Sequence, residues 1–80
     1  MKFEMFSRVV LNIDVPEHGL RRGDLATIVE FHQGVPGQEP GYSLEVFNAV
    51  GDTVAVITLA ESEIESLREN EILCARALVT

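Results

Sequence analysis

The chain has 80 residues, 46% of them hydrophobic, and thirteen acidic side chains against six basic ones give it a formal charge of −7. That length fits one small domain, residues 1–80, burying roughly 60% of its extended surface, and the apolar share is too high for a disordered chain. The negative field weighs against phosphate backbones and anionic lipid, and no apolar run approaches the ~18 residues of a membrane-spanning helix.

Cys74 is the single cysteine, which excludes an intramolecular disulfide and suits a reducing compartment. Glu4 and Arg8 interrupt the apolar residues of the N-terminus, so no secretory leader forms there. These features predict a soluble, cytoplasmic protein.

In chain order, Phe6–Ile13 reads as a first strand, with Val9, Leu11 and Ile13 on one face and Arg8, Val10 and Asn12 on the other. Asp14–Gly19 breaks it, because Pro16 lacks a ladder N–H and Gly19 can supply a positive φ. The Gly19–Phe31 stretch organises the rest: a glycine-punctuated turn, then a strand over Leu25–His32 rich in β-branched residues. That strand is apolar on both faces, as suits a strongly bent barrel, and small Ala26 permits close approach of another backbone. Gln33–Gly41 has three glycines and two prolines in nine residues and reads as a loop. Tyr42–Phe47 resumes alternation with Tyr42, Leu44 and Val46 inward. Asn48–Asp52 marks a hairpin, and Thr53–Leu59 is the strongest strand.

The period changes after Leu59. Ser62 followed by Glu65 matches a capping box, and Ile64 and Leu67 can share one side of a short helical or 3₁₀ turn that Asn70 would end. Ile72–Val79 then reads as the last strand, with Leu73, Ala75, Ala77 and Val79 on one face. Five short strands with one helical or 3₁₀ turn before the last predict an all-β fold, a small five-stranded SH3-like barrel. An OB-like barrel is the rival, but it wants longer strands and a helix between the third and fourth.

Five segments together resemble the DUF4926 family of small bacterial proteins: Val9-Val10-Leu11; Asp14-x-Pro16-Glu17-His18-Gly19-Leu20; Arg22-Gly23-Asp24-x-x-Thr27-Ile28-Val29-Glu30; Tyr42-x-Leu44-Glu45-Val46-Phe47; and Ala55-Val56-Ile57-Thr58-Leu59. The resemblance covers nearly the whole chain, and Pro16–Glu30 is its most specific part. It implies a bacterial source and a compact SH3-like domain. It carries over no functional residue, and Ala26 stands where the family usually has glycine.

The Arg22-Gly23-Asp24…Thr27-Ile28-Val29 stretch also resembles the KOW motif of ribosomal and transcription-factor barrels. RNA binding needs several Lys/Arg contacts and stacking aromatics. Arg21-Arg22 is the only basic cluster, and the two arginines are expected to pair with Glu17 or Asp24. A groove for proline-rich ligands needs an aromatic lining, which a chain with no Trp and one Tyr cannot build. His18, His32 and Cys74 have no metal-ligand spacing; His18 reads as a turn residue, His32 as a strand end and Cys74 as a small buried or edge hydrophobe. No catalytic, cofactor or metal residue is assigned.

Glu61, Glu63, Glu65, Glu69 and Glu71 form the densest acidic run, read first as a solvated face and second as a docking face for a basic protein. The reading is a non-enzymatic protein–protein interaction module whose contacts come from Glu17, His18, Arg21, Arg22 and Asp24 together with Glu61, Glu63 and Glu65. The alternatives are a KOW-like RNA- or transcription-complex module reaching RNA through Arg21 and Arg22, and an acidic partner that neutralises a basic toxin or nuclease. Self-association is a further expectation, with Leu73–Val79 either closing the barrel or adding to a neighbour's sheet.

Overall fold

Strict two-residue alternation places the middle strands where the sequence predicts them. The computed structural model describes residues 1–78. It has five antiparallel strands in one sheet: β1 (Arg8–Leu11), β2 (Leu25–His32), β3 (Gly41–Phe47), β4 (Thr53–Ala60) and β5 (Ile64–Ser66), in the spatial order β4-β3-β2-β1-β5. One 3₁₀ turn lies at Pro16–His18 and another at Glu61–Glu63, just before the last strand. The architecture is the expected all-β one, five strands with a 3₁₀ turn before the last. Among the described residues no helix is long and apolar enough to cross a membrane.

In β3, β4 and the first half of β2 every second residue points inward. Ala26 and Ile28 of β2, Tyr42, Leu44 and Val46 of β3, and Ala55, Ile57 and Leu59 of β4 are buried. Val9 and Leu11 of β1 and Ile64 of β5 join the same cluster, so the two ends of the sheet share a single, mostly aliphatic core. The bend falls in β2, where the register with β3 shifts between Ile28 and Glu30, and a bulge of this kind sharpens local twist. Phe3 closes one end, its ring edge-on to Tyr42 at 5.5 Å.

Tyr42 is fully buried yet carries a hydroxyl, which must find partners. It donates to Glu61 Oε2 at 2.7 Å and accepts the Phe3 N–H at 3.4 Å. Burial, and then the Glu61 hydrogen bond, push the phenol above its ordinary pKa.

Several expectations need correction. β1 starts at Arg8, because Phe6 sits in the left-handed region (φ 63°) and gives its N–H to Ile28 O at 2.9 Å. The turn before the last strand covers Glu61–Glu63 and does not start from a Ser62 cap. Glu63 Oε1 accepts the Ala60 N–H at 2.8 Å, while Ser62 donates from both N–H and Oγ to the Glu39 carboxylate. Ile64 is already extended (φ −132°, ψ 159°), so it leads a strand and does not share a helical face with Leu67.

The largest correction concerns the closing strand. It is Ile64–Ser66, pairing Leu11 with Ile64, Val10 with Glu65 and Val9 with Ser66. With β2 on its other side, β1 has no edge left for Ile72–Leu78, which forms no ladder and is exposed; Val79 lies outside the described residues. Cys74, on this irregular segment, is exposed and not a buried hydrophobe.

Candidate functional site

The site is built on the turn between β1 and β2. Val15 and Leu20 exchange backbone hydrogen bonds at 2.9 and 3.1 Å and pinch off the Pro16–His18 turn, presenting Glu17 and His18 to solvent. Gly23, at φ 97°, then reverses the chain and donates its N–H to Leu11 O at 2.8 Å, a conformation in which a Cβ is strained. The reversal holds Asp24 in place, its backbone fixed by bonds to Arg21 O and from the Leu11 N–H.

The Asp24 carboxylate is the polar centre. Its Oδ2 accepts the Arg21 N–H at 2.7 Å. Its Oδ1 accepts Nε of Arg76 at 2.9 Å, and Nη2 of Arg76 reaches Oδ2, which makes the ion pair two-pronged. The same Nη2 also donates to Gly19 O at 3.1 Å. Such fork-on-fork geometry is specific to arginine. The side chains are 19% exposed for Asp24 and 28% for Arg76. Partial burial alone would raise the Asp24 pKa, but the Arg76 and Arg21 hydrogen bonds and the adjacent guanidiniums outweigh it and hold the carboxyl below its usual range.

Arg76 brings the C-terminal segment across the outer face of the sheet, leaving an open cleft of about 880 Å³. Val10, Leu25, Val46, Phe47 and Val54 line its sheet side, and Leu67, Ile72 and Leu73 its outer side. Val10 is 7% exposed yet stands apart from the core cluster; its cover comes from this outer layer. The segment buries little of itself. Ile72 is 88% exposed and Leu73 53%.

The residues singled out in the sequence fall into two places. Arg21, Arg22 and Asp24 line the cleft beside Glu71. Glu61, Glu63 and Glu65 lie outside its lining and bond to Tyr42, to the Ala60 N–H and, at 3.6 Å, to Arg68. Neither Arg21 nor Arg22 forms the expected ion pair with Glu17 or Asp24 among the described residues; Arg22 donates its backbone N–H to Asp14, and the charge partner of Asp24 is Arg76. Sequence reading missed Arg76, although it is the one basic residue after Arg68. His32 bonds Ser43 Oγ at 2.7 Å, far in sequence from Cys74. Among the described residues, no group of three or more His, Cys, Asp and Glu is placed to hold a metal ion.

A family model described as "Domain of unknown function (DUF4926)" matches residues 5–66. The chain belongs to the DUF4926 family. The match runs to the last residue of β5, so the DUF4926 domain is the five-stranded sheet, with Gly19 and Asp24 inside it and the Arg76 segment beyond it. No curated protein and no solved structure matches the chain.

Proposed function

We propose that this DUF4926 domain is a non-enzymatic protein-interaction module that meets a basic protein partner through the face around the Gly19–Asp24 turn, in the cytoplasm of a bacterium. The observation that carries the reading is the apolar-walled cleft beside a carboxylate already engaged in two-pronged recognition of an arginine. Apolar surface with a few placed polar groups is what binding sites are made of. The net charge of −7 adds a field that speeds encounter with a cationic surface. A neutralising contact with a basic toxin or nuclease is one form of this reading. RNA contact through Arg21 and Arg22 works against the same field.

The test is a tagged pull-down of the full chain from lysate of its source organism, with and without nuclease and across a salt series. One protein retained after nuclease and lost progressively with salt supports the module reading. Loss of all retained material on nuclease treatment refutes it and promotes the RNA-associated alternative.

A further inference from the structure

Building on that interaction-module reading, we infer that the cleft beside Asp24 is an arginine-recognition groove for an extended segment of a protein partner, and that the chain's own 71–78 segment occupies it as a stand-in. The occupant is defined by what sits there now: one arginine among small and aliphatic neighbours, Leu73-Cys74-Ala75-Arg76-Ala77-Leu78.

Three features support the assignment. The receptor half, Asp24 with the Gly19 carbonyl, offers three acceptor positions that match Nε and Nη2 of a single guanidinium. The stand-in is held by that fork and by little else. It has no ladder to any strand, and Ile72, Leu73 and Leu78 remain 88%, 53% and 40% exposed. The sheet wall beneath it retains unfilled space, about 880 Å³ in all, lined by Val10, Leu25, Val46, Phe47 and Val54. A partner segment carrying the same arginine and directing larger apolar side chains inward would make the same ion pair and bury the exposed part of that wall, Phe47 and Val54, as well.

The tethered segment lowers the affinity of any competitor, because it holds a high effective concentration at the groove. If it is seated about nine-tenths of the time, the apparent affinity for a competitor falls about tenfold.

The experiment uses the full chain and a fluorescein-labelled peptide of residues 71–78, read by anisotropy under reducing conditions. The expected result is binding to the Arg76→Ala chain about tenfold tighter than to the wild-type chain. A peptide with Ala in place of its arginine should bind the Arg76→Ala chain at least tenfold more weakly than its parent. That comparison needs no change at Asp24, so it stands whether or not an Asp24→Asn chain folds. Equal binding to both chains, equal binding of both peptides, or no binding at all overturns the inference. If the peptide fails while the pull-down partner is still captured, the groove assignment falls and the module reading stands. If both fail, the module reading falls with it.

Discussion

Replacing Tyr42 by Phe isolates one hydrogen-bonding hydroxyl in an otherwise unchanged core. The ring is fully buried, with Phe3 at 5.5 Å and Phe31 at 5.3 Å between ring centroids, and the substitution keeps those contacts. What is lost is the donor to Glu61 Oε2 and the acceptor for the Phe3 N–H. A hydrogen bond to a charged group contributes about 1.5–3 kcal/mol, and a stranded buried N–H costs about 1–3 kcal/mol. The Phe3 bond is long at 3.4 Å, so the sum is taken at the lower end, about 2.5 kcal/mol. For a domain of this size that lowers Tm by about 10–20 °C. The pH dependence adds a second signature. The folded phenol is raised above its ordinary value of 10.0, so its stabilisation is complete below that pH and is lost as pH rises toward and through the folded value. The variant lacks this loss, and the stability gap between the two proteins therefore closes in strong alkali. Urea unfolding at pH 7 and in the alkaline range measures both effects. Because Tyr42 is the only tyrosine and there is no Trp, tyrosinate absorbance follows this one group directly. A Tm drop of less than about 2 °C at neutral pH, with a gap that ignores pH, would show that the hydroxyl contributes nothing and refute the reasoning.

Other outcomes follow from the same structure. Asp24 has a lowered pKa in the folded state, so its contribution is present above 3.8 and fades as pH falls through the folded value. Acid titration of stability should show Arg76→Ala less stable than wild type at pH 7, with the gap narrowing once Asp24 is protonated and only the Gly19 carbonyl bond of Arg76 to the turn remains. Gly23→Ala meets no atom within 4 Å, so its cost is backbone strain alone, about 1–2 kcal/mol by chemical denaturation. Ile28→Ala, at a side chain with no exposure, should cost about 2–5 kcal/mol. Val56→Thr, on the outer face of β4 and 60% exposed, should stay within about 0.5 kcal/mol. A concentration series by light scattering, run on wild type and Val56→Lys, tests pairing along the free edge of β4; a dimer that survives the lysine would place the self-association elsewhere.

The legible parts of the fold were those in which local pattern and burial agree. β2, β3 and β4 alternate over seven or eight residues between glycine- and proline-rich breaks, and their inward residues follow from the two-residue period. β5 was hidden because it is three residues long with a single buried side chain, Ile64, inside a Ser/Glu stretch that imitates a helix start. Composition predicts a strand over Ile72–Val79 because it cannot show whether a ladder partner is free; the described part, Ile72–Leu78, forms none, since β1 is already paired on both sides. At the candidate site, the Gly23–Asp24 reversal was visible as a turn. The Asp24–Arg76 pair was not, since the two residues lie 52 positions apart and only the path of the chain over the sheet brings them together.

The position of β1 also bears on the order of assembly. Of the strands in this sheet, the one synthesised first sits between β2 and β5, and its second neighbour is the one synthesised last. On the ribosome, β2, β3 and β4 can pair as successive hairpins while one side of β1 stays open until Ile64–Ser66 emerges. Pairings between such distant stretches slow folding relative to local ones. Destabilising changes in β5 should therefore speed unfolding far more than they slow folding, which makes this three-residue strand the latch of the sheet and not its seed.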